Sequence, residues 1–274
     1  MQNLDDLLVR DVMTSEVVTV SPEDSVVAVG EVLAKKRISG AVVIENKQIV
    51  GVISKESFVT GVKYMGVNPI DVFKVKDFMM HKYDAANVDE PLSKVVDRMV
   101  GAPYRVDRVL VLDNGKLAGI LTKGDIARLF AENAKGCFKV RDLMNLNPST
   151  VRDYTPLGKI MNEITISKEK RVIVTAGEQI VGLITVLDLS LVLFEKLKQH
   201  RGKDVIDYIK LEDIITLNPI TVKETADAAE AARIMVEKRI GGLPVYDKTL
   251  KGMLTTNDLV KGYKLFKDQK KHKK

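Results

Sequence analysis

The sequence lacks the residues that build disulfides, metal sites and membrane spans. Of its 274 residues one is cysteine, Cys137, so an intrachain disulfide is excluded. Its three histidines are far apart, and no second candidate ligand accompanies them at metal-site spacing. No apolar run approaches the ~20 residues that a membrane-spanning helix needs, and the first residues do not resemble a signal peptide. We therefore expect a cytoplasmic protein that requires no metal and no other cofactor.

Motifs of common catalytic sites are missing as well. Gly61–Gly66 and Gly119–Gly124 have the glycine spacing of a Walker loop, but Val67 and Asp125 stand where that loop requires lysine. There is no nucleophile elbow and no cysteine with a nearby histidine. We therefore expect no enzymatic activity and assign no catalytic residue.

The net charge of +6 is concentrated at the C-terminus. Residues 267–274 contain five lysines and one aspartate, and thus hold four of the six net positive charges. The rest of the chain is close to neutral, which argues against a basic surface that follows a nucleic acid backbone. We expect residues 267–274 to form a disordered, solvated tail, with nucleic acid binding as the less favoured alternative.

One pattern occurs four times along the chain. Each copy opens with an Asp-x-Met-like element and closes with an apolar strand that contains a glycine. The opening elements begin at Asp11, Asp77, Asp142 and Asp213, and the closing glycines are Gly51, Gly119, Gly182 and Gly252, about 65 residues apart. This period is typical of a chain built from repeats of one structural unit.

Each copy is predicted to form a strand, a helix, two further strands and a second helix. In the fourth copy these are Ile220–Val222, Ala226–Lys238, Leu243–Tyr246, Gly252–Thr255 and a helix from Thr256. Gly241-Gly242 is expected to end the first helix of this copy. In the second copy Asn114-Gly115 predicts a tight hairpin turn.

A single copy has too little apolar surface to bury its sheet and both helices, so we expect the copies to pair sheet to sheet. We place the boundary between two pairs near residue 135. The predicted modules are residues 1–135 and 136–274, with copies at about 7–60, 72–130, 138–195 and 210–266.

The pattern resembles the CBS (cystathionine-beta-synthase) domain family over nearly the whole chain. The most similar stretch is Gly241–Asp247 followed by Gly252–Asp258. The resemblance implies an α/β fold of four β-α-β-β-α motifs in two paired modules. It also implies a disc-like arrangement, formed by one chain or by a homodimer, similar to the gamma subunit of AMP-activated protein kinase.

The same resemblance implies a regulatory function. Paired modules of this family bind AMP, ADP, ATP or S-adenosylmethionine in clefts between the two motifs. The protein is thus expected to be a ligand sensor that passes its occupancy to a separate regulated protein. The alternative is a scaffold or assembly module whose pockets are vestigial.

A Ser/Thr-x-x-Asp element at the closing helix of the copies supplies the candidate ligand contacts. A carboxylate accepts hydrogen bonds from both ribose hydroxyls, and the free N–H groups of a helix start favour phosphate. Adenine is expected to lie against the Thr-Val segment and the Leu-Pro-Val strand. The candidate nucleotide-binding residues are Thr122 and Asp125 in the second copy, Thr185 and Asp188 in the third, and Thr216, Thr221, Leu243, Pro244, Thr255 and Asp258 in the fourth.

Each of these elements has a simpler interpretation as a helix-capping box, in which the acid bonds only to backbone groups at the helix start. Ser57 replaces the acid in the first copy, so that site is expected to be empty or weak. The expected order of binding is fourth, second, third and first, because Arg171 and the residues after it replace the Gly-Gly-Leu-Pro-Val stretch in the third copy. Lys123 is predicted either to contact phosphate or to be solvated.

Overall fold

The structure, a computed structural model, describes residues 7–36, 38–61, 68–101, 106–167, 170–199 and 203–271. Short strands and helices are interspersed throughout these ranges. The strands are β1 (Thr19–Val20), β2 (Gly40–Glu45), β3 (Gln48–Ser54), β4 (Asp84–Asn87), β5 (Arg108–Asp113), β6 (Lys116–Thr122), β7 (Thr150–Arg152), β8 (Arg171–Ala176), β9 (Gln179–Thr185), β10 (Thr216–Leu217), β11 (Gly242–Asp247) and β12 (Thr249–Thr255). The helices are α1 (Val26–Lys35), α2 (Lys55–Gly61), α3 (Leu92–Gly101), α4 (Lys123–Asn133), α5 (Val140–Leu143), α6 (Leu157–Ile166), α7 (Val186–Gln199), α8 (Leu211–Ile214), α9 (Ala228–Lys238) and α10 (Thr256–Lys271). Among the helices described, none combines the length and the apolar composition needed to cross a lipid bilayer.

Each copy is built around an antiparallel hairpin, formed by β2–β3, β5–β6, β8–β9 and β11–β12. In the first three copies the preceding strand adds in parallel to the hairpin, and a helix connects the two. In the fourth copy the predicted strand Ile220–Val222 is reduced to a single parallel bridge between Val222 and Val245. The predicted α/β fold with four repeated units is confirmed.

Local turn chemistry explains where the elements end. Asn114 and Gly115 both have positive φ, 48° and 77°, which is typical of a tight hairpin turn and confirms that prediction. The prediction that Gly241-Gly242 ends the preceding helix is wrong. Helix α9 ends at Lys238, because Arg239 adopts the left-handed conformation and its N–H bonds to carbonyls of the last turn. Gly242 instead opens β11, opposite Thr255.

The closing glycines lie where a second backbone crosses the hairpin. A Cβ atom on Gly252 would lie 2.5 Å from the Asn145 carbonyl oxygen, and one on Gly51 would lie 2.6 Å from that of Met80. A side chain does not fit at such distances, which explains the glycine in each copy. The register of each hairpin also shifts directly after the residue opposite the glycine.

The crossing backbone is the opening segment of the neighbouring copy. It forms antiparallel bridges between Thr14 and Ile120, Met80 and Val52, Asn145 and Met253, and Thr216 and Leu183. The first and second copies therefore exchange their opening segments, and so do the third and fourth.

The chain forms two compact units. The first contains residues 1–16, 84–148 and 219–274, and thus the cores of the second and fourth copies. In this unit α4 packs against α9 and α10. Its apolar core includes Phe130 and Tyr263, which are both fully buried.

The second unit contains residues 17–83 and 149–218, and thus the cores of the first and third copies. Helices α2 and α7 pack together in this unit. The ring of Phe58 lies edge-on to that of Phe194, with 5.8 Å between their centroids.

The compact units do not follow the predicted boundary near residue 135. That position lies inside the first unit, and the predicted modules 1–135 and 136–274 each contribute residues to both units. The reason is that the apolar helix faces of non-consecutive copies pack together within each unit. The sheet-to-sheet pairing of consecutive copies and the disc remain predictions.

The prediction of a disordered tail from residue 267 is wrong for residues 267–271, which continue α10. Phe266 is 3% exposed and lies in the core of the first unit, and Lys267 is buried beside it. Because these side chains anchor the last turns and lysine has a high helix propensity, the helix extends into the basic segment. Residues 272–274 lie outside the described part of the chain.

Candidate functional site

The site of the fourth copy lies where β12 meets α10. Oδ2 of Asp258 accepts hydrogen bonds from the backbone N–H of Thr255 at 2.9 Å and from its hydroxyl at 2.6 Å. Thr255 is only 2% exposed, so these bonds are shielded from water. Oδ1 lies 3.9 Å from Nζ of Lys261, whose side chain is 60% exposed. One carboxylate oxygen thus fixes the helix start, while the other lies near a side-chain cation.

The second copy repeats this geometry at the junction of β6 and α4. Oδ2 of Asp125 accepts from the N–H of Thr122 at 2.9 Å and from its hydroxyl at 2.7 Å. Oδ1 accepts from Nη2 of Arg128 at 3.2 Å and from the hydroxyl of Thr14 at 3.4 Å. Thr14 belongs to the opening segment that the first copy contributes to this unit.

The third copy has the same cap at the junction of β9 and α7. Oδ2 of Asp188 accepts from the N–H and hydroxyl of Thr185 at 2.8 and 2.6 Å. The N–H of Asp188 donates in return to the Thr185 hydroxyl oxygen at 3.3 Å. Within the described residues no hydrogen-bond donor contacts Oδ1 of Asp188, which is half-buried.

Ser57 caps the corresponding helix in the first copy with its single side-chain oxygen. Oγ of Ser57 accepts from the N–H of Ser54 at 3.0 Å and donates to the Ser54 carbonyl oxygen at 2.8 Å. The N–H of Ser57 donates to Oγ of Ser54 at 3.1 Å. A serine has no second oxygen, so this cap provides the helix start with a partner and leaves no carboxylate oxygen for a ligand.

The capping interpretation and the binding interpretation therefore describe different atoms. In the second, third and fourth copies the bonds from the capping threonine end on Oδ2. The predicted threonine and aspartate pairs lie together in all three copies. Their role in binding a nucleotide stays a prediction.

Among the other residues predicted for the fourth site, Thr221 and Pro244 lie close together, whereas Leu243 is buried in the core. Thr221 is exposed and precedes Val222, whose N–H bonds to the Pro244 carbonyl oxygen at 3.1 Å, so Thr221 and Pro244 are neighbours. Leu243 is fully buried in the apolar core, on the opposite face of the sheet from Pro244. Its predicted contact with adenine stays a prediction.

Thr216 does not lie in the fourth site. It pairs with Leu183 on β9 of the third copy, two residues before Thr185. The placement of Thr216 beside the fourth copy's first strand is wrong, because the opening segments are exchanged between neighbouring copies. Thr216 is a candidate contact of the third site instead.

Sequence reasoning missed the corresponding residues of the other sites. Thr14 reaches the second site, and Asn145 pairs with Met253, two residues before Thr255 in the fourth. Thr14 follows Asp11-Val12-Met13 as Thr216 follows Asp213-Ile214-Ile215, so an alignment of the copies identifies the position. The alignment alone does not show which copy receives the segment.

The side chain of Lys123, which lies between Thr122 and Asp125, is buried and hydrogen-bonded. Its Nζ donates to Oδ1 of Asp107 and to Oδ1 of Asn257, both at 2.7 Å. Its side chain is 8% exposed. The prediction of a solvated lysine is therefore wrong, because two acceptors compensate the burial of the charge.

Comparison with known proteins gives the family. The sequence profile of the CBS domain matches the chain four times, at residues 9–63, 75–132, 140–195 and 211–264. Protein MJ1404 of Methanocaldococcus jannaschii, which is uncharacterized, is 27% identical over 92% of this chain and 61% of its own length. Protein MJ1225 of the same organism is 25% identical over 64% of this chain and 63% of its own length. The sequence matches thus span less than two thirds of the length of both relatives.

The fold comparison agrees with the sequence comparison. The crystal structure of MJ1225, described as a candidate archaeal homologue of g-AMPK, the gamma subunit of AMP-activated protein kinase, has a TM-score of 0.81. The match covers 94% of this chain and 100% of that chain at 19% identity, and at this identity it shows the fold alone. The chain belongs to the CBS domain family and carries four copies of the domain.

Proposed function

We propose that this protein is a regulatory sensor that binds adenosine nucleotides at its second, third and fourth copies. The observation that carries the proposal is the different roles of the two carboxylate oxygens in Asp125, Asp188 and Asp258. Each uses Oδ2 to accept the capping bonds from its threonine. Oδ1 of Asp125 instead accepts from Arg128, and Oδ1 of Asp258 lies near Lys261. The second oxygen is the group that a ribose hydroxyl needs.

The surroundings of these oxygens favour a sugar attached to phosphate. Two vicinal hydroxyls donate to one carboxylate oxygen, or to both when the cap loosens, and bonds to a charged acceptor are stronger than neutral ones. The cap fixes the carboxylate at the first turn of a helix, where free N–H groups and the helix dipole favour an anion. AMP, ADP and ATP combine both features, and S-adenosylmethionine offers the ribose without the phosphate.

The contacts of Oδ1 differ between the three sites. At Asp125 the ligand must displace or share the bonds from Arg128 and Thr14. At Asp188 no described donor competes, which supports the third copy as a binding site, with Thr216 beside it. The first copy is proposed to be empty, since the cap of Ser57 offers no charged carboxylate oxygen.

The binding test compares AMP, ADP, ATP and S-adenosylmethionine by thermal melting and isothermal titration. A ligand at about 100 times its dissociation constant stabilises the folded chain by roughly 2.7 kcal/mol per site. We expect at least one adenosine compound to raise the melting temperature, with at most three molecules bound per chain. Ser57→Ala serves as the control and leaves the stoichiometry unchanged. If none of the four compounds binds at millimolar concentration, the proposal is wrong and the pockets are vestigial.

Signalling requires a partner that distinguishes the occupied from the empty protein. A ligand changes this equilibrium only through its different affinities for the two states. We propose that the chain acts in the cytoplasm on a separate regulated protein and self-associates into a disc-like dimer. Light scattering with and without AMP tests the dimer, and a monomer under both conditions contradicts it.

A further inference from the structure

A buried lysine joins the second and fourth sites inside the first compact unit. Lys123 is the first residue of α4 and stands two positions before Asp125. Its Nζ lies 2.7 Å from Oδ1 of Asn257, which is in the first turn of α10 and directly precedes Asp258. Lys123, within the Thr122–Asp125 element, is therefore in direct contact with Asn257, within the Thr255–Asp258 element.

The position of Lys123 depends on both of its acceptors. An ammonium group removed from water must be paired and hydrogen-bonded, since its hydration is lost. Asp107 supplies the opposite charge at 2.7 Å, and Asn257 supplies a neutral acceptor from another copy. A shift of Asn257 by about 1 Å lengthens its hydrogen bond beyond the range of effective geometry. The starts of α4 and α10 are thus expected to move together.

Packing along the two helices reinforces this link. A Cβ atom on Gly262 of α10 would lie 3.0 Å from the ring of Phe130 of α4, so the helices approach closely there. In the second unit the corresponding lysine of the first copy, Lys55, is also buried. Lys170 and Glu56 form a separate, half-buried ion pair there at 3.5 Å.

We propose that the Lys123–Asn257 bridge makes ligand binding at the second and fourth sites cooperative. This inference rests on the proposed function of Asp125 and Asp258 as ligand contacts. A ligand at either site restrains its own helix start, and the bridge passes that restraint to the other. The second ligand then meets a helix start that is already ordered and binds more tightly. The coupling is reciprocal, whichever site fills first.

The test measures the two sites separately and then together. Asp188→Asn removes the third site from all proteins in the series. In that background Asp125→Asn isolates the fourth site, and Asp258→Asn isolates the second. Titration with AMP gives the two single-site affinities, and the protein with both sites gives the coupled isotherm. We expect the second AMP to bind at least about fivefold more tightly than the single sites predict.

Asn257→Ala then tests the bridge itself. It removes one acceptor and leaves the Lys123–Asp107 pair in place, so we expect the single-site affinities to persist while cooperativity is lost. Asn257→Asp retains an acceptor and is expected to retain cooperativity. Thr256→Ala, a change at the neighbouring position of the same turn, is the matched control and keeps it as well.

The outcomes separate the inference from the function on which it rests. If neither single-site variant binds AMP, ADP, ATP or S-adenosylmethionine, the proposed function fails for these two sites and the inference fails with it. If both bind but the two-site protein gives independent sites, the function stands and the coupling is wrong. If cooperativity survives in Asn257→Ala, the bridge does not carry it.

Discussion

Replacing Asp258 by asparagine and by alanine separates its structural role from a role in binding. Alanine removes the acceptor for the N–H and hydroxyl of Thr255. Because Thr255 is 2% exposed, water does not replace that acceptor, and a buried unsatisfied donor costs about 1–3 kcal/mol. Asparagine keeps one oxygen for the cap, so we expect it to lower the free energy of unfolding by about 1 kcal/mol or less.

The two variants are expected to agree in binding although they differ in stability. Asparagine places an NH₂ group where Oδ1 of Asp258 lies, and this group cannot accept from a ribose hydroxyl. A hydrogen bond to a charged partner contributes about 1.5–3 kcal/mol, so the loss corresponds to roughly 10- to 150-fold in affinity. Alanine is expected to cause a loss of the same order.

Urea unfolding and AMP titration together decide the matter. Both are done with Asp125→Asn and Asp188→Asn in place, so that only the fourth site binds. Asp247→Asn, the same chemical change at an exposed position of the same copy, is the control and is expected to alter neither quantity. If Asp258→Asn binds AMP as well as the unchanged site does, the carboxylate has only its capping role and our reasoning is refuted.

Three further predictions test the fold and the missing site. Gly252→Ala places a Cβ atom against the crossing carbonyl oxygen of Asn145 and is expected to lower the free energy of unfolding by about 1–3 kcal/mol. The control Gly158→Ala, whose Cβ atom would have no heavy atom within 4 Å, is expected to be neutral or stabilising. Equal effects of the two changes on urea unfolding contradict the explanation of the closing glycines. Ending the chain after Lys271 is expected to leave the melting temperature unchanged. Removing residues from Phe266 onward is expected to lower the free energy of unfolding by about 3–5 kcal/mol, because the buried ring is lost. An unchanged melting temperature after this longer truncation disproves the anchoring role of Phe266. Ser57→Asp supplies a second side-chain oxygen while keeping a cap, so titration is expected to show one additional AMP bound per chain. An unchanged stoichiometry means that the carboxylate is not the only group that the first copy lacks.

The repeated unit could be predicted because its signals are local. The sequence predicts the tight turn of the second copy at Asn114-Gly115, and the hairpin forms on either side of it, at Arg108–Asp113 and Lys116–Thr122. Alternating apolar residues and the Asn114-Gly115 turn determine such a hairpin from within a few residues. The capping pairs are equally local, since threonine and aspartate are three residues apart.

The arrangement of the copies could not be predicted in the same way. Thr216 was assigned to the wrong copy because its partner, Leu183, is distant in sequence and the pairing leaves no local pattern. The basic segment after Phe266 was expected to be disordered because composition counts the lysines and ignores the buried ring that precedes them. Contacts between residues distant in sequence determine both the pairing of Thr216 and the helix after Phe266. Only the closing glycines indicate such contacts in the sequence.

Capping and ligand binding are often treated as competing explanations of one Thr-x-x-Asp element, but here the number of acceptor oxygens reconciles them. Every copy must satisfy the donors at its second helix start, because a buried N–H without a partner is costly. Serine at position 57 does this with one oxygen, and aspartate at position 188 does it with one of two. Under the proposed function, a copy can therefore lose ligand binding without losing its fold, since the cap persists when the second oxygen is gone. Under that proposal Oδ1, and not the presence of the capping element, is the feature that distinguishes a binding copy from a structural one.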